Sequence, residues 1–277
     1  MDTLAIIFSY KRPAILEKCI ESLFTQSKFV PKKVFIIDDG SGSDVSNVLQ
    51  KLKEKYSSLI IIEKDINKGF SDSAKIGLEI TRKHNPDYAF WIESDYVFQQ
   101  GGLDLVMDCF VNTDYGRAAV AIAGCNHPNY RWPQMHQSIF PDCMKMQVGE
   151  DNVNRAVLYR PFHVETSQHK FCLERVSNNC WTTYFNWKLL RQVEEQQPEF
   201  TELLNQACSP IDNPNYPTSG QYKSQKTVDD GMLSHAVSLC WNRWAVKNNI
   251  CRDKFSAWLN ICAPEVAIHH YEGGMHH

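Results

Sequence analysis

The sequence lacks the features that identify most membrane-spanning and secreted proteins. No apolar run reaches the roughly 18–20 residues that a helix needs to cross a bilayer, and no Asn-x-Ser/Thr sequon occurs. A buried strand is predicted to begin at Leu4 with no basic segment before it, so we expect no signal peptide. These absences together predict a cytoplasmic protein with no membrane span.

Cysteine spacing argues against a zinc-binding protein, and net charge argues against a protein drawn to nucleic acid or membranes by a basic surface. None of the ten cysteines belongs to a CxxC pair, whereas zinc sites usually have closely spaced ligands. We therefore expect reduced, mostly buried thiols in a reducing compartment. The net charge is only -3, so no global basic field draws the chain to nucleic acid or to an anionic membrane.

Two common nucleotide-binding motifs are also missing. No GxGxxG sequence follows the first predicted strand, and no GxxxxGKS or GxxxxGKT sequence occurs. Dinucleotide-binding and P-loop folds are therefore poorly supported.

The first hundred residues do contain a regular alternation of apolar strands and helical segments. Short loops join these segments, a pattern typical of an α/β fold with a doubly wound, mostly parallel sheet. No repeat or linker is evident, so we predict one domain over residues 1–277. The predicted strands are Leu4–Phe8, Lys33–Ile37, Leu59–Ile62 and Tyr88–Ile92, and the predicted helices begin at Pro13, Val45 and Asp72.

The second half of the chain is less regular. Two segments are predicted to be loops. The aromatic stretch 125–140 either lines the acceptor site or packs its own Trp and Tyr, and the proline-containing stretch 205–226 has the length of a lid or binding loop. Helices are predicted over 103–111, Trp181–Glu195 and Asp229–Trp244, and strands over Ala118–Ala123 and Val266–Ile268.

Polar residues follow each of the four predicted strands of the first half. They are Ser9–Arg12, Asp38–Ser41, Asp65–Gly69 and Glu93–Asp95. Ligands of open α/β sheets bind outside the carboxyl ends of the strands. Several acids with few glycines suggest a phosphate neutralised by a divalent cation on carboxylates, because Mg²⁺ and Mn²⁺ prefer oxygen ligands.

Four motifs occur in a distinctive order and spacing: Ile6–Pro13, Phe35–Asp44, Asn67–Gly77 and Trp91–Asp95. As a set they resemble the sugar-donor half of GT-A glycosyltransferases, especially family 2, over about residues 4–98. The resemblance implies a GT-A-type sheet with a nucleotide-sugar-binding half (1–100) and an irregular acceptor-side half (101–277). It also implies metal-dependent transfer of a hexose or pentose from a nucleotide sugar, with a UDP-sugar as the first choice of donor.

The resemblance further implies which residues bind the sugar donor. Ser9 and Arg12 are expected near the base and the diphosphate, and Asp39, with Asp38 as second choice, is expected to accept hydrogen bonds from the uracil or ribose. The turn and helix after Asn67 are expected to close over the base. The full set is Ser9, Arg12, Asp38, Asp39, Asn67, Gly69, Lys75, Glu93 and Ser94.

Glu93-Ser94-Asp95 occupies the place of the Asp-x-Asp metal motif of the family that the chain resembles. The resemblance implies that Asp95 binds Mn²⁺ or Mg²⁺ directly, while Glu93 binds the metal, a metal-bound water or the ribose. A late histidine resembles an additional metal ligand. Strand alternation sends His269 and His270 to opposite faces, and we assign this role to His270.

An acidic pair, Asp229-Asp230, precedes a predicted helix. In the family that the chain resembles, such a pair supplies the catalytic base, so Asp230, with Asp229 as second choice, is expected to deprotonate the acceptor hydroxyl. Direct displacement by that hydroxyl would invert the anomeric centre. Plain capping of the helix is the alternative role for this pair.

Other functions remain open from the sequence. The acceptor is expected to be a glycan, a lipid or another hydroxyl-bearing molecule. A hydroxylated base in DNA is an alternative, because the aromatic loop can stack on sugar rings or on nucleobases. A nucleotidyltransferase is less favoured, because the usual glycine-rich loop after the first strand is missing. A non-catalytic module that binds nucleotide sugars or glycans is the remaining alternative.

Overall fold

The computed structural model describes residues 1–123, 144–148, 154–158, 162–176, 182–197, 199–207, 230–252, 254–261 and 266–269. The first hundred residues fold as their alternation predicts. All seven residues of the first strand are buried, as expected for a central parallel strand. The elements are β1 (Thr3–Ser9), α1 (Pro13–Thr25), β2 (Lys33–Asp38), α2 (Ser43–Lys55), β3 (Leu59–Glu63), α3 (Phe70–His84) and β4 (Tyr88–Glu93).

The second half contributes short strands and five helices to the described residues. The strands are β5 (Tyr96–Phe98), β6 (Ala121–Ala123), β7 (Met144–Val148), β8 (Asn154–Leu158), β9 (Phe162–Glu165), β10 (Lys170–Val176), β11 (Thr183–Phe185), β12 (Trp258–Ile261) and β13 (Ala267–His269). The helices are α4 (Gly102–Asn112), α5 (Asp114–Ala118), α6 (Trp187–Gln196), α7 (Glu199–Ala207) and α8 (Asp230–Lys247).

Nine of the described strands form one sheet, in the order β3-β2-β1-β4-β11-β6-β12-β10-β9. Strands β3, β2, β1 and β4 are parallel to one another. Beyond β4 the sheet becomes mixed, because β11 runs antiparallel to both β4 and β6. The prediction of an α/β, doubly wound sheet is confirmed, and both halves of the chain supply strands to it.

Hydrophobic residues are buried on both faces of the sheet. Along β1, Ala5 and Ile7 belong to a core that includes residues of α1, α2 and α4. Leu4, Ile6 and Phe8 point to the opposite face and join a core with residues of α3, α6 and α8. This alternation along a fully buried strand accounts for the continuous apolar run in the sequence.

The helix predicted over Trp181–Glu195 is wrong in its first part. Thr183–Phe185 form β11, which is inserted between β4 and β6, and the helix begins only at Trp187. Asn186 separates the two elements because its side-chain oxygen accepts a hydrogen bond from the Leu189 N–H at 3.1 Å and caps α6. A three-residue buried strand leaves too short a pattern to be separated from the apolar start of a helix.

Several predictions concern residues outside the described ranges. They include the aromatic loop at 126–133, residues 208–226 of the predicted long loop, Asp229 and His270; residues 205–207 belong to α7. The five cysteines described by the structure, Cys19, Cys109, Cys172, Cys240 and Cys251, are free thiols. Within the described ranges, no helix combines the length and apolar character needed to traverse a lipid bilayer.

A buried aspartate joins α4 to the β9–β10 hairpin. The carboxylate of Asp108 accepts hydrogen bonds from Asn112 Nδ2 at 2.6 Å, Thr166 Oγ1 at 2.6 Å and His169 Nδ1 at 2.8 Å. Burial alone raises the pKa of Asp108, but the hydrogen bonds from Thr166, Asn112 and His169 outweigh it and hold the pKa below its usual value. The ionised carboxylate is therefore the form that holds the hairpin.

We predict that Asp108→Ala lowers the free energy of unfolding by about 1–3 kcal/mol at pH 7, because three side-chain donors lose their shared, buried acceptor. The stabilisation that the ionised Asp108 carboxylate gives the wild-type protein is fully present above the pKa of an unfolded aspartate, about 3.9. It is lost as the pH falls through the lower pKa of Asp108 in the folded state. The difference between wild type and variant should therefore shrink in acid. Urea unfolding at several pH values measures it.

The matched control is Asp114→Ala, because Asp114 forms an ion pair with Arg117 but its side chain is 65% exposed. Exposed pairs contribute little to stability, so this variant should unfold close to wild type. Equal stability of the Asp108 and Asp114 variants would contradict the assignment.

Candidate active site

The carboxyl ends of β1, β2 and β4 meet at one rim of the sheet. The parallel registers place Ser9 opposite Asp38 and Phe8 opposite Glu93. Backbone hydrogen bonds extend this contact beyond the strands, from Asp39 N–H to the Ser9 carbonyl at 2.9 Å and from Ser94 N–H to the Phe8 carbonyl at 3.1 Å. Three of the polar segments predicted to converge are therefore adjacent.

Asp38 organises the turn that follows β2. Its carboxylate accepts from the Ser41 N–H at 2.9 Å and from Ser41 Oγ at 2.5 Å, and only 2% of the residue is exposed. Ser41 Oγ in turn accepts from the Lys11 N–H at 2.6 Å. Asp38 thus connects the loop after β1 to the loop after β2.

Asp39 holds the loop that follows β3. Its Oδ1 accepts from the Lys68 N–H at 2.9 Å, and its Oδ2 accepts from the Gly69 N–H at 2.8 Å. Asn67 Oδ1 also accepts from the Gly69 N–H, at 2.9 Å. Asn67 and Gly69, both predicted from the sequence, therefore lie next to Asp39 in space although about thirty residues separate them in the chain.

Lys64 also contacts Asp39, and sequence reasoning missed it. Its Nζ donates to Asp39 Oδ1 at 2.9 Å and to Ser73 Oγ at 2.8 Å, and it forms an ion pair with Asp72 Oδ2 at 2.8 Å. The available signal was a lysine directly after β3, whereas the preceding and following strands in the sequence, β2 and β4, both end in acids. Lys75, which was predicted from the sequence, is exposed on α3.

Gly40 allows the loop after β3 to approach the loop after β2. Its φ is +71°, and a Cβ built there would lie 2.5 Å from the Ile66 carbonyl carbon and 2.6 Å from the Asn67 nitrogen. Any side chain at this position would collide with backbone, which cannot move aside as a flexible side chain can. The Asp-Asp-Gly-Ser motif therefore includes a glycine for steric reasons.

Arg12 forms an ion pair with Asp95. Arg12 Nη1 lies 2.9 Å from Asp95 Oδ2, with side-chain exposures of 30% and 14%. Both Lys11 and Arg12 have left-handed backbone conformations, with φ of 59° and 56°. Two consecutive non-glycine residues in this region are strained, and strain of this kind often accompanies functional loops. The geometry brings together the two residues predicted for the diphosphate and the metal.

The rest of the rim is polar and largely buried. The Ser9 hydroxyl oxygen is buried and has no hydrogen-bond partner among the residues that the structure describes. Ser94 is 8% exposed, and Glu93 donates its N–H to Thr182 Oγ1 at 3.2 Å. Burial and the nearby Asp95 charge raise the pKa of the Cys19 thiol far above its usual value, so the thiol is neutral at pH 7.

The histidine pair and the acidic pair predicted from the sequence each have one residue inside the described ranges and one outside them. Strand β13 pairs with β5 so that His269 lies opposite Tyr96, the residue after Asp95; His270 follows outside the described ranges. Asp230 is the first described residue of α8, and Asp229 lies outside the described ranges. Within the described ranges, no group of three or more His, Cys, Asp or Glu side chains is positioned to hold a metal ion.

Comparison with known proteins agrees with this arrangement. A family model described as Glycosyl transferase family 2 matches residues 4–185, which is more than half of the chain. This match favours glycosyl transfer over the nucleotidyl-transfer alternative. No curated protein sequence matches the chain significantly.

Several solved structures match the chain at low sequence identity, and the fold similarity rests on the first of those described below. GalNAc-T7, solved with UDP, GalNAc and Mn²⁺, is 8% identical with a TM-score of 0.53, over 98% of this chain and 44% of that one. The mannosyltransferase PcManGT from Pyrobaculum calidifontis is 11% identical, with a TM-score of 0.48 over 96% and 56%. S. aureus TarS is 16% identical, with a TM-score of 0.38 over 47% and 22%. The chain thus spans at most about half the length of these proteins.

We predict that Gly40→Ala destabilises the protein more than Gly42→Ala does, by about 1–3 kcal/mol in the free energy of unfolding. Gly42 is the matched control because its φ is +90° and nothing lies within 4 Å of an added Cβ. Both variants carry backbone strain, but only Gly40→Ala forces the Ile66–Asn67 backbone away. Equal losses in urea unfolding would mean that the loop contact contributes nothing.

Proposed function

The chain belongs to glycosyl transferase family 2, and from this membership we propose that it transfers a sugar from a UDP-sugar to an acceptor hydroxyl, assisted by Mn²⁺ or Mg²⁺. The observation that carries the proposal is the rim where Ser9, Asp38 and Asp39 meet Glu93 and Ser94 at the carboxyl ends of parallel strands. Ligands of open α/β sheets bind at such a rim.

Ser9 and Asp39 have hydrogen-bonding capacity left for a nucleotide. The buried Ser9 hydroxyl lacks a partner within the described residues, so a ligand group can pair with it. Asp39 accepts three hydrogen bonds from protein groups, and a carboxylate has about four acceptor sites. The remaining site can accept from the imide N–H of uracil or from a ribose hydroxyl. We assign the remaining rim contacts to Asp38, Asn67, Gly69, Lys75, Glu93 and Ser94.

Arg12 and Asp95 are suited to the diphosphate end of the donor. A guanidinium binds phosphate oxygens with two parallel hydrogen bonds, and Arg12 is 30% exposed on the side chain and already oriented by Asp95. When the sugar donor binds, its negative diphosphate offers Arg12 a second anionic partner. The strained conformation of Arg12 keeps the guanidinium at the rim.

The rim residues fit a divalent cation in their chemistry. Asp95 offers a carboxylate that already pairs with a positive group, and oxygen ligands suit Mg²⁺ and Mn²⁺. We assign Asp95 as a metal ligand, with Glu93 and His270 as further ligands. The pairing of β13 with β5 brings His269 opposite Tyr96 and supports a histidine ligand from this segment. An imidazole ligand suits Mn²⁺ better than Mg²⁺. A bound cation supplies Lewis-acid stabilisation of the leaving diphosphate.

Asp230 is the proposed catalytic base, with Asp229 as second choice. It stands at the start of α8, and a carboxylate there can remove the proton from an acceptor hydroxyl as the oxygen attacks the anomeric carbon. This single displacement inverts the anomeric centre. We propose that residues 101–277 form the acceptor side of one GT-A-like domain, and that the acceptor is a glycan, a lipid or another hydroxyl-bearing molecule.

We predict that UDP-sugars raise the melting temperature of the wild-type protein only when Mn²⁺ or Mg²⁺ is present. Asp95→Ala should lose both this metal-dependent shift and turnover, because the carboxylate that holds the cation is removed. A thermal-shift screen of nucleotide sugars with and without metal measures the first effect, and release of UDP measures the second. Asp114→Ala is the exposed control and should behave as wild type. Full turnover by Asp95→Ala would exclude Asp95 as an essential ligand.

We predict that Asp230→Asn retains UDP binding but lowers UDP release from the sugar donor by about 10²–10⁴-fold. Asparagine caps a helix as well as aspartate does, so the substitution removes the base and keeps any capping role. Calorimetry measures UDP binding, and a UDP-release assay measures turnover. Asp229→Asn is measured in parallel, because Asp229 is the second choice for the base. Unchanged release by the Asp230 variant would place the base elsewhere.

A further inference from the structure

The buried ammonium of Lys64 connects three elements around the candidate nucleotide site. Lys64 follows β3, Asp39 follows β2, and Asp72 and Ser73 lie in the first turns of α3. The Nζ atom lies 2.8–2.9 Å from an oxygen of each of these three residues. The side chain of Lys64 is only 8% exposed, and that of Asp39 only 7%.

These contacts surround the ammonium of Lys64 with protein oxygens. Two of its three N–H donors are used in hydrogen bonds to Asp39 and Ser73, and Asp72 adds an ion pair. The ammonium therefore holds protein groups together in a side chain that is only 8% exposed. One positive charge is also shared between two carboxylates, so it balances groups that would otherwise repel each other in a poorly solvated place.

The contacts also determine how Asp39 is oriented. Oδ1 of Asp39 accepts from Lys64 and from the Lys68 N–H, and Oδ2 accepts from the Gly69 N–H. A carboxylate with three fixed partners cannot rotate without losing one of them. Only one acceptor direction, on Oδ2, is left for a ligand, and its position depends on Lys64 through Oδ1.

We propose that Lys64 is a positioning residue for recognition of the nucleobase. It locks the Asp39 carboxylate and the 64–69 loop so that the free acceptor of Asp39 meets the N–H of the base. The proposal rests on the proposed UDP-sugar function. Arg12 and Asp95, assigned to the diphosphate and the cation, are held by a different ion pair. Lys64 should therefore affect binding of the nucleoside part and leave binding of the diphosphate part intact.

The experiment compares two probes by calorimetry in the presence of Mn²⁺: UDP, which carries the base, and inorganic pyrophosphate, which does not. We expect Lys64→Met to weaken UDP binding by about tenfold or more, because members of one hydrogen-bond network are energetically coupled. Pyrophosphate binding should stay within about twofold of wild type. A purely structural role of Lys64 would weaken both probes together.

Lys53→Met is the matched control, since Lys53 Nζ donates to the Leu59 carbonyl at 2.8 Å on the same half of the chain but contacts none of the three oxygens around Lys64. It should leave both affinities unchanged. Lys64→Gln guards against loss of folding in the methionine variant, because glutamine keeps two N–H donors while the charge is removed. It should show the same selective loss for UDP, smaller in size.

Each outcome bears on the proposal. Selective loss of UDP binding in either Lys64 variant supports it. Unchanged UDP binding in the Lys64 variants, or equal losses of UDP and pyrophosphate, would overturn the positioning role alone. Failure of the wild-type protein to bind UDP at all would overturn the proposed sugar donor, and the positioning role with it.

Discussion

Carboxylates at the buried end of a parallel sheet are stable only when each one is paired, and the candidate site is built around this requirement. Asp38 and Asp39 follow one another at the end of β2, at 2% and 5% exposure. One is satisfied by the serine of its own turn, and the other by a lysine and two backbone amides from the next loop. Pairing the acids thereby shapes the loops that surround the ligand.

The pairing separates the acids into two kinds. Asp38 accepts two hydrogen bonds from Ser41 within its own turn, while Asp39 accepts three from Lys64 and the loop after β3. Asp95 differs because its ion-pair partner, Arg12, lies on a strained loop and is partly exposed. A partner of this type can be shared with a diphosphate, whereas the buried partner of Asp39, Lys64, cannot. The residues proposed for the base and for the phosphate are therefore held by separate ion pairs.

The second half of the chain completes the sheet rather than forming an independent layer. Strand β11 lies directly beside β4 and brings Thr182 to the backbone of Glu93, so residues far along the chain support the rim. The hairpin of β9 and β10 is joined to α4 through the Asp108 carboxylate. Residues 230–247 then supply the helix whose start carries the proposed base.

The alternation of strands and helices in the first half is encoded locally in the sequence, because buried parallel strands and amphipathic helices have distinct apolar patterns. The rim acids are also recognisable from the sequence, since they follow the apolar runs that mark the strand ends. The pairing of Asp39 with Lys64 depends on how the loops are brought together in the fold, because the two residues lie 25 positions apart and no local pattern connects them. The same holds for β11: its three residues form a strand only because β4 and β6 offer unpaired backbone groups on either side.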